Sequence, residues 1–121
     1  MARVLVLKPE TMSLWLKDCE DLDDFYAELE CHTFDIARRR IGKNYYDIFC
    51  DDIGLYREKP VISAVNADGE PMLVGNLIFA NHDGQGNTTD LSDEDIVQIC
   101  AHAVPYLTEE LEHGLAVVCE Y

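Results

Sequence analysis

A chain of 121 residues is the size of one domain, and its 48% hydrophobic content is enough for a single folded core. Its net charge of −15, from 24 Asp+Glu against 9 Lys+Arg, disfavours direct binding to nucleic acid or to an anionic membrane. No apolar run approaches the ~20 residues that span a bilayer, and Val4 to Leu7 is too short for a signal-peptide core, so the expectation is a cytoplasmic protein.

Along the chain, Val4-Leu5-Val6-Leu7 predicts a buried strand and Pro9-Glu10-Thr11 a turn. Met12, Leu14 and Leu16 alternate with Ser13, Trp15 and Lys17, which predicts a second strand and so an opening hairpin. Leu22, Phe25, Tyr26 and Leu29 then fall on one helical stripe, with Asp21 as cap and Asp23 and Asp24 in the first turn. Thr33 to Arg40 and Tyr45 to Cys50 read as paired strands around Ile41-Gly42-Lys43-Asn44. Val61 to Val65 and Met72 to Ala80 read as two further strands joined through an Asp68-Gly69 turn, and Asn81 to Thr89 as a polar loop.

A capped helix start follows. Ser92 caps, Asp95 takes the third helical position and Leu91 can staple onto Ile96. Ile96, Cys100, Ala103, Leu107 and Leu111 continue one helical face, with Pro105 predicting a kink or two consecutive helices. Leu115 to Cys119 closes the chain as a strand. The expected fold is therefore α+β, one domain over residues 1–121, mainly an antiparallel sheet with about three helices packed on it.

The side chains that could carry chemistry are few. The five cysteines, Cys19, Cys31, Cys50, Cys100 and Cys119, are odd in number, widely spaced and without a Cys-x-x-Cys pair, so most are expected to be small buried apolar residues. Cys100 and His102 lie two apart on a helix and point away from each other, and Cys31 and His32 are adjacent in an extended segment. Both pairs read as a buried cysteine beside an exposed histidine. Asp83-Gly84-Gln85-Gly86-Asn87 resembles the start of a calcium loop, but Thr88 stands where such a loop needs glycine, so a solvated turn is expected. No metal or cofactor motif is present. Arg38, Arg39, Arg40 and Lys43 form the one basic cluster, expected to pair with local acids or sit on a solvated turn, with a partner's acidic surface as a third reading.

Eight acids, Asp21, Asp23, Asp24, Asp93, Glu94, Asp95, Glu109 and Glu110, fall at predicted helix starts, and others belong to turns. Those roles explain position but not the absence of any Lys or Arg after Lys59, over a stretch with eleven acids. Asp90, Asp93, Glu94, Asp95, Glu109, Glu110 and Glu112 are accordingly the candidate surface for a basic partner.

The order of elements resembles the domain-of-unknown-function family 3846. The resemblance is carried by Tyr46-Asp47-Ile48-Phe49-Cys50-Asp51-Asp52-Ile53-Gly54, by Leu73-Val74-Gly75-Asn76-Leu77-Ile78-Phe79, and by Asp83 to Asn87 leading into Leu91-Ser92-Asp93-Glu94-Asp95-Ile96. It implies the α+β fold and the company of mobile elements in Gram-positive gut bacteria and their phages, and it supplies no activity.

Three functional classes follow. The first is a protein-binding module, with an inhibitor that presents carboxylates in place of DNA phosphates to a basic, DNA-binding protein as its sharpest form. Duplex DNA as long as this domain is wide, roughly 35 Å, carries about 20 charges, comparable to the count of acids. The second is a small regulatory or scaffolding module whose acidity is incidental, with an apolar patch near Trp15 as its expected mark. The third is an enzyme, which would need a cleft lined by His82, His102 and several carboxylates.

Overall fold

A computed structural model describes residues 2–52, 61–106 and 114–121. The opening hairpin is formed by β1 (Ala2–Lys8) and β2 (Ser13–Cys19), linked by a 3-10 turn at Pro9–Thr11. Pro9 suits that turn because its fixed φ starts a helical turn and its missing N–H has no partner to lose. Helix α1 (Leu22–Leu29) follows, with the Asp21 carboxylate accepting the Asp24 N–H at 3.2 Å. β3 (Phe34–Ile41) and β4 (Asn44–Asp51) pair across a two-residue loop whose first residue, Gly42, has φ +64°, the left-handed backbone that hairpin loops of this length require.

The region read as one strand from Met72 to Ala80 is two. β5 (Ile62–Val65) pairs with β6 (Pro71–Val74), and the chain then breaks at Gly75-Asn76 before β7 (Leu77–His82). Gly75 takes φ +79° while its N–H bonds the Val61 carbonyl at 2.7 Å. Asn76 reaches across to the Glu28 carbonyl (3.3 Å) and the Glu30 carboxylate (2.7 Å). The break moves the chain from one sheet to another. The polar loop is also shorter than expected, because β7 runs through His82 and β8 (Thr88–Thr89) pairs back onto it.

Helix α2 (Asp93–Ala101) opens on the expected capping box. The Ser92 hydroxyl accepts from the Asp95 N–H at 3.1 Å, and the Asp95 carboxylate accepts from the Ser92 N–H at 2.9 Å. It does not continue as the 3.6-residue pattern suggested. β9 (Ala103–Pro105) is extended and pairs with β10 (Leu115–Val118). Pro105 biases Val104 towards extended backbone, and the neighbouring strand offers Ala103 to Pro105 a ladder that a helix there would forgo. Leu107 and Leu111, the rest of the expected stripe, lie outside the described residues. Among the described residues there are two α-helices and two sheets, mostly antiparallel.

The large sheet runs β2-β1-β7-β4-β3, with β8 on β7; the small sheet runs β6-β5-β10-β9, and its β5–β10 pair is parallel. β1, β4 and β7 are covered on both faces, which is why they read as nearly continuous apolar runs. On one face Val4, Val6, Phe49 and Ile78 pack against Phe25 and Leu29 of α1. On the other, Leu5, Leu7, Ile48, Leu77 and Phe79 share a core with Ile99 of α2 and with Ala64 and Val117 of the small sheet. The sheets also meet at one corner, where Arg40 and Glu120 exchange backbone hydrogen bonds at 2.8 Å.

Candidate functional site

Among the described residues, the acids proposed as a partner surface, Asp90, Asp93, Glu94 and Asp95, do not all face outward. Asp95 is buried, and its carboxylate is the hub of an internal network. Beyond the Ser92 N–H it accepts the Tyr46 hydroxyl at 2.7 Å and the Asn81 amide at 2.7 Å. Gln98 donates to the same Tyr46 oxygen at 3.0 Å. Burial pushes the Asp95 carboxyl up, but these hydrogen bonds outweigh it and hold the group below its ordinary value. It faces no partner.

Asp90 and Asp93 converge on Arg3. The Arg3 N–H donates to Asp90 at 2.6 Å, and its guanidinium reaches Asp93 at 3.0 Å and the Leu91 carbonyl at 3.2 Å. This contact ties the start of α2 to β1. Glu94 is exposed and has no ion-pair or side-chain hydrogen-bond partner among the described residues. Glu109, Glu110 and Glu112 lie outside the described residues.

Beside Glu94 lies a feature that the linear pattern did not single out. Val97 is 68% exposed on the outer side of α2. It stands on a shallow, open hollow of about 500 Å³, the α2 groove, lined by Asp93, Glu94, Val97, Gln98, Ala101 and His102. The helical period is the signal that could have found it: Ile96 and Ile99 point inward, so Val97 must point out. The His102 Nδ1–H donates to the Gln98 carbonyl at 2.8 Å and closes the last turn of the helix.

The other candidates for chemistry are held by their own surroundings. His82 Nε2 accepts from the Arg38 guanidinium at 2.8 Å, because arginine can only donate, and its Nδ1 lies 3.0 Å from an Asp47 carboxylate oxygen. Both ring nitrogens are therefore engaged. Asp83 accepts the backbone N–H groups of Gln85 (2.8 Å) and Asn87 (2.9 Å) and the Asn87 amide (3.1 Å), and these bonds hold its carboxyl below the ordinary value. Its oxygens are spent on the turn, as expected of a solvated loop. No group of three or more His, Cys, Asp and Glu that could hold a metal ion occurs among the described residues.

Four cysteines are buried, but Cys100 is exposed, contrary to the expectation that placed it on the core face; Ile99 takes that position instead. His102, read as exposed, is half-buried. A smaller recess of about 170 Å³, lined by Asp35, Cys50, Asp51, Asp52 and Met72 to Val74, contains the Cys50 thiol. Burial, reinforced by the Asp35 charge, pushes that thiol up to about 11, and burial pushes Cys119 to about 11 as well, so both stay protonated at neutral pH. A thiol titration with a chromogenic disulfide on folded protein should therefore show one fast-reacting group, Cys100, and four released only on denaturation. Two or more fast thiols would contradict the burial of the others.

The model of the family described as Domain of unknown function (DUF3846) matches residues 1–103. The chain belongs to this family. The DUF3846 match takes in the large sheet, both helices and the Asp95 network, and β10 lies beyond it. No curated protein and no solved structure matches the chain. No helix among the described residues of this DUF3846 domain is long and apolar enough to cross a membrane.

Proposed function

We propose that this domain is a protein-binding module that docks a basic partner segment on the outer face of α2. The observation that carries the reading is Val97, 68% exposed in a groove between Glu94 and His102 on a helix whose opposite side is fully committed to the core. A half-apolar, half-anionic groove suits an apolar anchor side chain flanked by Lys or Arg. Covering Val97 would contribute about 1 kcal/mol, while the carboxylates would speed and orient the encounter.

The same residues favour a basic protein over strict imitation of DNA. A phosphate mimic needs dense rows of free carboxylates, whereas Asp95 is turned inward and Asp90 and Asp93 are shared with Arg3. The mobile-element company implied by the family resemblance is consistent with a partner among basic, DNA-handling host proteins.

The test is affinity capture from host lysate at low and high salt, with the wild-type chain beside a Glu94→Lys/Val97→Lys variant. Both positions are exposed and lysine is a good helix former, so the variant should fold. A specific basic protein is expected on the wild type at low salt and reduced at least about tenfold on the variant, equivalent to 1.4 kcal/mol. Equal capture by both chains would refute the α2 docking site.

A further inference from the structure

Helix α1 covers only part of its face of the large sheet. It packs Phe25 on Phe49 and Tyr26 on Phe34, and beyond those rings no other described helix covers the outer part of the same face. The register Ile36↔Phe49, Arg38↔Asp47 and Arg40↔Tyr45, with strand alternation, sets Ile36, Arg38, Arg40 and Tyr45 side by side there. Ile36 is 54% exposed and Tyr45 48% exposed, and both arginines are exposed. The Arg38 guanidinium lies 5.9 Å from the centre of the Tyr45 ring. Arg40 has no carboxylate partner among the described residues, in a chain where acids outnumber bases 24 to 9. Arg38 also donates to His82, which sits beside the half-buried Asp47 on this face, so the exposed charge there is that of two arginines; with Ile36 and Tyr45 it is complementary to one other surface already described: the apolar and anionic groove of α2.

We propose that the occupant of this sheet patch is the α2 face of a second copy of the chain. Val97 would lie against Ile36, with Asp93 and Glu94 against Arg38 and Arg40. The spacings agree: four residues along a helix advance about 6 Å, from Asp93 to Val97, and two along a strand about 6.6 Å, from Arg38 to Ile36. Because α2 packs on the opposite side of the large sheet from α1, one copy can use both surfaces at once. The contact is head-to-tail and grows into a ring or a chain. The net −15 on each copy does not forbid it, since domain centres about 35 Å apart lie several Debye lengths of about 8 Å from each other. Ion pairs in direct contact are much less screened.

This inference rests on the α2 docking reading and gives the same face a second occupant, another copy of the chain, through its local basic patch. Sedimentation of the full chain at about 0.15 M salt should show a weight-average mass that rises with protein concentration. Arg38→Glu/Arg40→Glu and Glu94→Lys/Val97→Lys should each weaken association at least tenfold, with circular dichroism confirming that each is folded. An equimolar mixture of the two variants should associate again, because the first keeps the α2 face intact and the second keeps the sheet patch intact. That restoration also answers the objection that either variant is merely damaged. A wild-type chain that stays monomeric at every concentration, or a mixture that stays dispersed, overturns the proposal. If the α2 variant nevertheless loses a lysate partner, the α2 docking reading stands without self-association.

Discussion

Asp95→Ala is expected to destabilise the domain by about 4 kcal/mol. The substitution removes the side-chain half of the capping box, worth about 1 kcal/mol, and leaves the Tyr46 hydroxyl and one N–H of the Asn81 amide without an acceptor, at about 1–3 kcal/mol each. Against a domain stability of about 5–15 kcal/mol that is a large fraction. Equilibrium urea unfolding measures it, and a loss below about 1 kcal/mol would mean that water satisfies the network. The pH dependence has a definite sign. Hydrogen bonding holds the folded-state carboxyl below its ordinary value, so its stabilisation is present above the unfolded pKa of about 3.9 and is lost as pH falls through the folded one. The gap between wild type and variant should therefore narrow below about pH 4.

Phe25→Ala is expected to cost about 3–5 kcal/mol and to release α1. Phe25 is fully buried and meets the Phe49 ring edge-on at 4.8 Å between centroids. The helix it belongs to has eight residues, too few to persist without packing. Amide exchange should then lose its protection across Leu22–Leu29 while the β4 and β7 amides remain slow. Uniform loss of protection in both regions would show instead that α1 and the large sheet unfold as one unit.

Much of the fold was legible where one local pattern met one local partner. The opening hairpin, α1 and the β3–β4 hairpin each pair neighbours in sequence, so periodicity and turn residues sufficed. Met72 to Ala80 was not legible as two strands, because the apolar pattern is alike on both sides of Gly75-Asn76. What separates them is pairing with Ile62–Val65 on one side and with β1 and β4 on the other. The helical spacing from Ile96 to Ala103 likewise lost to a distant strand, Leu115–Val118.

The candidate site was legible in part. Glu94 and Asp93 are exposed, but Asp95 beside them serves the interior, and Ser92 three residues before it was the available signal. Arg38, Arg39 and Arg40 form one cluster in sequence and two in space. Strand alternation sends Arg38 and Arg40 to the open sheet face and Arg39 to the other side, where it lies 4.6 Å from the Tyr121 ring centre. No spacing rule shows that Val97 and Ile36 are both left uncovered, since that depends on which elements pack elsewhere.

The parallel pairing of β10 with β5 sets a timetable for synthesis. Every strand of the large sheet lies within residues 2–89, so all of that sheet and α1 is made before residues 115–118. The inner edge of β5 must wait for residues 115–118, where Val117 sits opposite Ala64. At about 5–20 residues per second, some fifty residues correspond to roughly 3–10 s during which that edge has no strand beside it. Slow codons between the two strands would lengthen that interval, and a nascent chain stalled within it would present an open strand edge to chaperones or to its neighbours.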